Sequence, residues 1–222
     1  MKIVPEPITH VLKKKHALWS IIVLALLFFN GCSLAKPEPK PAPSPSSEQT
    51  ENIAAYIPLS VGNYWFYEGI GNEYASYTEK VTYQQRNQYQ VIIDNGGTVT
   101  ANRYEVAADR IVNTFRQSEF YEDKNILDQP SNIEAILLQS PLTSGNSWTS
   151  EGNSYEIIDT AATVEVPAGI FENCLTVKIT YPESGNYSLY YYKKDVGLIK
   201  SEYVMPENEK VVSQLKEYDV QH

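Results

Sequence analysis

Pro58 to Gly69 reads PLSVGNYWFYEG, and Pro141 to Gly152 reads PLTSGNSWTSEG. Laid over one another without gaps, the two segments agree at Pro, Leu, Gly, Asn, Trp, Glu and Gly. Trp65 and Trp148 take the same slot, and beyond residue 30 the chain has no other tryptophan. Self-similarity at a fixed offset is the mark of an internal duplication. In each copy a Gly-Asn turn leads into the tryptophan that opens a strand. Tyr104 to Asn113 (YEVAADRIVN) and Tyr191 to Lys200 (YYKKDVGLIK) echo one another in the same way, each reading as strand, polar turn and strand. Two sequence-related halves are therefore expected, at about 58–140 and 141–222, each of five or six strands.

Working outward from these segments, the texture is short runs of Tyr, Val, Ile and Thr broken by Gly, Asn, Pro and acidic clusters. Ala75, Tyr77, Glu79, Val81 and Tyr83 share one parity, and Leu175, Val177 and Ile179 alternate with Thr176, Lys178 and Thr180. A period of two is the signature of half-buried antiparallel strands. Asp94-Asn95-Gly96-Gly97, Glu183-Ser184-Gly185-Asn186 and Pro206-Glu207-Asn208-Glu209 supply the residues that hairpin turns require. No long amphipathic helix is found, and Gln117 to Asn132 reads as a loop with room for one helical turn. The fold class is all-β, a single antiparallel curved sheet closed as a half-barrel, a barrel or a sandwich. Neither half could bury its apolar face alone, so one domain is expected over 55–222.

Upstream, Lys13, Lys14 and Lys15 precede the run Ala17 to Phe29 (ALWSIIVLALLFF), and Asn30, Gly31 and Cys32 follow. Charge, apolar run and small residue are the parts of a secretory signal peptide, and the run falls short of the roughly 20 residues that span a bilayer. Gly31-Cys32 resembles the lipobox of bacterial lipoproteins, which implies a diacylglyceryl group on the Cys32 sulfur and cleavage that leaves Cys32 as the new N-terminus. Two or more acyl chains hold a protein stably on a membrane, at about 0.8 kcal/mol per buried methylene. Residues 1–31 are thus expected as a signal peptide and Cys32 as a lipid anchor on the extracytoplasmic side of a bacterial membrane. Residues 32–54 are expected as a tether, with prolines at 37, 39, 41, 43 and 45. Alternate prolines favour an extended chain rising about 3.1 Å per residue. A proline-rich ligand for a partner domain is the other reading of this stretch.

Composition bounds the chemistry. The 222 residues are 42% apolar and 20% charged, as in a packed globular protein. Asp plus Glu number 27 against 18 Lys plus Arg, a net charge of -9, which argues against nucleic acid as a partner. Removing the leader takes Lys2, Lys13, Lys14 and Lys15 away and leaves an acidic body, repelled by anionic headgroups and wall polymers. The histidines are His10, His16 and His222, none inside the expected fold, so triads and zinc sites that need an imidazole are disfavoured. The cysteines are Cys32 and Cys174. With Cys32 lipidated, Cys174 remains a lone thiol, read as buried in a strand.

Three segments carry a wider resemblance: PLSVGNYWFYEG, VEVPAGIFENCLTVKI at Val164 to Ile179, and YYYKKDVGLIKSEY at Tyr190 to Tyr203. Together they resemble a family of small secreted bacterial lipoproteins and exported proteins of unknown function. The resemblance implies a mostly antiparallel β domain, similar to the half-barrel of periplasmic lipoprotein carriers. It brings no catalytic residue and no cofactor, and no metal site is expected.

Trp65, Tyr67, Trp148, Tyr190 and Tyr192 form the candidate ligand-binding set, because large flat apolar faces with one polar atom suit glycans and apolar ligands alike. The same residues also suit core packing, since tyrosine and tryptophan favour half-buried strands. Glu119, Glu122, Asp123 and Asp128 in the central loop, and Glu207 with Glu209, are the carboxylates a hydrolase would draw on if two of them met across a cleft. The expected role is a non-catalytic binding or scaffold module at the cell envelope, holding a partner protein, glycan or lipid. A carrier of an apolar ligand in a curved-sheet cavity is the first alternative, and a hydrolase the second. A concave face lined by tyrosine and aliphatic side chains would favour the carrier.

Overall fold

The computed structural model describes residues 52–221. The expected signal peptide, Cys32 and most of the tether lie outside the described residues. At the start of the described residues the Asn52 side chain accepts from the Ala54 amide, a 3-10 turn follows at Ile53–Tyr56, and Ile53 is buried.

Twelve strands are present among the described residues. They are β1 (Tyr64–Ile70), β2 (Tyr77–Gln85), β3 (Gln88–Asp94), β4 (Val99–Val106), β5 (Arg110–Ser118), β6 (Ala135–Gln139), β7 (Ser147–Ser150), β8 (Asn153–Val166), β9 (Gly169–Thr180), β10 (Tyr187–Lys193), β11 (Gly197–Val204) and β12 (Lys210–Asp219). All belong to one sheet of order β6-β5-β4-β3-β2-β1-β12-β11-β10-β9-β8-β7, with every ladder antiparallel. Residues before and after Pro141 each supply a six-strand meander, and the two meet where β1 pairs with β12.

The two tryptophan segments fold alike at their turns. Gly62 and Gly145 both adopt positive φ, and their amides donate to the carbonyls of Val81 and Ile157. The amides of Asn63 and Asn146 close turns onto Ser60 and Thr143, and their carbonyls accept from Val81 and Ile157. The expected hairpin turns also form, for example with Asp94 and Asn95 side chains accepting from the amides of Gly96 and Gly97.

A twisted sheet of this many strands curls, and bulges set where. The register slips between Phe66 and Tyr67, Val81 and Tyr83, Arg103 and Tyr104, and Tyr191 and Tyr192. The residues left without a register partner are Lys216 on β12, Thr82 on β2, Thr114 on β5 and Ile199 on β11, and each bends the strand that carries it. The curl brings the edges β6 and β7 together, where side chains replace a ladder. Ser150 Oγ accepts from the Ile136 amide at 2.7 Å, Trp148 Nε1 donates to the Ile136 carbonyl at 3.3 Å, and Asn146 Nδ2 donates to the Gln139 carbonyl at 2.9 Å. The result is a nearly closed barrel whose edges are covered rather than left as templates for another strand.

The barrel interior holds the main core, with Val81, Val91, Ile111, Ile157, Ile199 and Leu215 all fully buried. The tip of the long β8–β9 hairpin folds inward, its Ala168 amide donating to the Leu215 carbonyl. The segment from Asn52 to Leu59 crosses one end of the barrel, touching β5 and β11, and the Asp195 amide donates to its Ala55 carbonyl at 2.7 Å. Outside, the β5–β6 loop carries Phe120 and Ile126 onto Ala101 and Phe115 as a second, smaller core. That loop holds a turn at Ile126–Gln129 and no helix.

Candidate functional site

Side chains that alternate inward along the strands leave the barrel partly unfilled. A cavity of about 420 Å3 remains, within the size range of small-molecule sites. Its floor is Ile57, Pro58, Trp65 and Gly197, at the end crossed by the N-terminal segment; exposed Tyr74 and Arg116 stand at the opposite, open end.

The walls follow from register. Trp65, Glu79 and Ile93 are cross-strand neighbours on β1, β2 and β3, so one inward row carries an indole, a carboxyl and an aliphatic side chain. The next inward pair is Tyr67 with Tyr77, whose rings stack at 4.5 Å between centroids. From across the barrel come Tyr190 and Tyr192 on β10, with ring centroids 6.3 Å apart, while Tyr104 enters from β4. Tyr191 faces outward, with the Lys200 ammonium 6.0 Å from its ring centroid.

Two of the polar tips are engaged. Trp65 Nε1 donates to the Val196 carbonyl at 2.7 Å, and the Tyr67 hydroxyl donates to the Leu198 carbonyl at 3.0 Å. Both bonds pin an aromatic wall to β11 or its preceding turn. The hydroxyls of Tyr77, Tyr104, Tyr190 and Tyr192 make no hydrogen bond to protein among the described residues, and none is sealed from the cavity. Burial, reinforced by neighbouring phenols and by Glu79, raises the pKa of Tyr67, Tyr77 and Tyr192 well above 10.0 and keeps them protonated.

Glu79 is the carboxyl of this cavity. It makes no ion pair and accepts no hydrogen bond among the described residues. It is half-buried on the cavity wall, and burial pushes its pKa up from 4.5 to about 7. Arg116, at the mouth, reaches Asn102 Oδ1 with its Nε at 3.4 Å.

Of the sequence-predicted set, Trp65, Tyr67, Tyr190 and Tyr192 line the cavity. Trp148 does not: it is buried at the β6–β7 seam, stacked on Tyr155 at 5.3 Å. The difference is one of position. The first tryptophan segment opens β1 in the middle of the sheet, and the second opens β7 at its edge, where the indole closes the seam. Sequence reasoning missed Glu79, Tyr77 and Tyr104 as site residues. The available signal was an acid on the inward parity between Tyr77 and Val81.

The other carboxylates stay outside. Glu119 accepts from Tyr121 and Thr98, Asp123 accepts from Tyr83, and the six candidates Glu119, Glu122, Asp123, Asp128, Glu207 and Glu209 are all exposed. Two carboxyls facing one another across the cavity are not found among the described residues, nor is a cluster of three or more His, Cys, Asp or Glu side chains suited to a metal. Cys174 is buried, with its thiol donating to the Phe171 carbonyl at 3.4 Å and its pKa raised by burial.

No protein-family model and no curated protein matches the chain. Solved structures to which it is similar include an inferred exported protein with a YmcC-like fold from Bacteroides fragilis, at 14% identity over 73% of this chain and 97% of that one, with a TM-score of 0.45. Another is an inferred lipoprotein from Parabacteroides distasonis, at 12% identity over 74% of this chain and 98% of that one, with a TM-score of 0.40.

Proposed function

We propose that the protein is a lipid-anchored binding protein of the bacterial cell envelope, acting without catalysis, whose barrel takes a small ligand with an apolar or aromatic body. The observation that carries this reading is the cavity itself. Its floor is closed, its mouth is open, its walls are rings and aliphatic side chains, and its free phenol hydroxyls can orient a guest. A few convergent polar groups in an apolar wall are what give a small-molecule site its orientation and selectivity. Of the two binding roles the sequence allows, this favours a ligand carrier over a scaffold that uses its outer surface. The envelope location rests on the leader and on Cys32.

The test is native mass spectrometry of residues 33–222, which contain the whole sheet and its core, exported and purified without detergent. A copurifying mass that leaves on denaturation is expected. Ser201→Leu, which adds apolar bulk to the cavity wall from β11, is expected to abolish that mass while the protein still melts cooperatively. A cooperative melt with the guest retained would place the ligand elsewhere. A clean apo mass from the native sequence would overturn the carrier role and return the outer surface as the binding face.

The anchor is tested separately. Cys32→Ser is expected to remove the mass of the lipid from the chain and to change its attachment to membranes. Unchanged mass and attachment would refute lipidation at this cysteine.

A further inference from the structure

Glu79 has surroundings that suit neither a resting carboxylate nor a purely apolar guest. Its row neighbours are Trp65 and Ile93. The titratable groups around it are Tyr67 on β1, Tyr77 on its own strand, Tyr104 on β4 and Tyr192 on β10, each of whose phenols senses its charge. Tyr190 on β10 and Arg116 on β5 complete the charged and titratable lining. None of these groups donates to the carboxyl, and Arg116 forms no ion pair with it among the described residues. The donors of Trp65 and Tyr67 are held by the carbonyls of Val196 and Leu198.

An aromatic ring presents its negative face to a cation and disfavours an anion there. A carboxylate set among rings, with no donor of its own, is therefore the complement of one positive charge. Resting on the reading of the cavity as a ligand site, we propose that it takes a monocationic amphiphile, an alkyl or quaternary ammonium on an apolar body, with the charge seated between Glu79 and the rings of Tyr67, Tyr77, Tyr104 and Tyr192. The rings supply cation–π attraction, the carboxylate supplies the counter-charge, and Trp65, Ile93 and Leu198 cover the apolar body. The guest also gives Glu79 the partner that the protein withholds.

Three probes of nearly one shape separate the outcomes: phenethyltrimethylammonium, its neutral isostere neohexylbenzene, and the anion phenylbutyrate. Binding to residues 33–222 is read by the fluorescence of Trp65, the tryptophan on the cavity wall. At about pH 8, where Glu79 is ionised, the cation is expected to bind at least about tenfold more tightly than the isostere. The preference should fade towards about pH 5 as the carboxyl protonates, because the quaternary ammonium itself carries no titrating proton. Glu79→Gln should cut the preference at pH 8 to what the rings alone supply and remove its dependence on pH, while keeping affinity for the isostere, which also shows that the variant is folded. Equal binding of cation and isostere, or tighter binding of the anion, overturns the cationic ligand and leaves the cavity a binding site. Failure of all three probes to bind the folded native protein overturns the cavity as a ligand site, and the cation with it.

Discussion

Arg103→Met is expected to lower the stability of the barrel by about 3 to 5 kcal/mol, the largest loss foreseen for any single replacement outside the aliphatic core. Arg103 lies on the outer face of β4 and is only 4% exposed. Its guanidinium donates to Thr114 Oγ1 at 2.8 Å, to the carbonyls of Leu127 and Gln129 at 3.0 and 2.6 Å, and to Ser131 Oγ at 2.7 Å. Glu105 Oε1, 3.3 Å from Nε, supplies the counter-charge. Hydrogen bonds from a charged donor are the stronger kind, and removing the donor leaves buried carbonyls without a partner. Methionine keeps most of the stem packing, so the loss reports the fork rather than a void. Lysine is expected to rescue little, because an ammonium cannot reproduce four bonds in a planar fan. Urea unfolding measures the cost, and hydrogen exchange should show residues 119–134 opening before the barrel does. A loss below about 1 kcal/mol would mean that the loop is held without Arg103, by the bonds of Gln90 to Lys124 and Ile126 and of Asn132 to Arg116 and Thr114.

That clamp marks the boundary of what the sequence makes legible. Alternation, turn residues and the paired tryptophan segments are local signals, and they foretell the strands, the hairpins and the all-antiparallel sheet. The loop expected at 117–132 is a loop from residue 119, its first two residues ending β5, but an arginine and a glutamine in flanking strands look like surface residues until the chain folds the loop over them. The site divides in the same way. Tyr190 and Tyr192 share a parity opposite to Tyr191, so their common inward face can be read from residue order alone. Glu79 shares its parity with Tyr77 and Val81, yet its meaning depends on β10 and β4 arriving across the barrel. The bulges matter as well. The slip after Val81 sends Tyr83 outward to Asp123, although simple alternation keeps it on the side of Glu79. Trp148 shows the limit of the repeat: equal local turns do not fix whether the strand that follows is central or at an edge.

Glu79→Gln is expected to stabilise the protein by about 3 kcal/mol at pH 8 and to have little effect near pH 4, the opposite of what losing a surface ion pair would do. The carboxyl titrates near 4.5 when exposed and at about 7 in the fold. Between those values the native state keeps a proton that the unfolded chain has already released. The contribution of Glu79 to stability therefore falls as pH rises across this window and is level above and below it. Glutamine has nearly the same shape and no proton to lose, so its profile should stay flat where the native one descends. Urea unfolding of both proteins across the window gives the difference directly. A parallel pair of profiles would mean that Glu79 ionises in the fold as easily as in water, and hence that its side of the cavity is wetter than its walls imply. The same profile also reports on the guest. A bound quaternary ammonium stabilises the ionised carboxyl, lowers its pKa in the fold and should restore stability at pH 8 to the native protein, whereas the glutamine variant gains only what the rings supply. A carboxyl that destabilises the empty barrel and stabilises the filled one makes occupancy, rather than folding, the condition in which its charge is favourable.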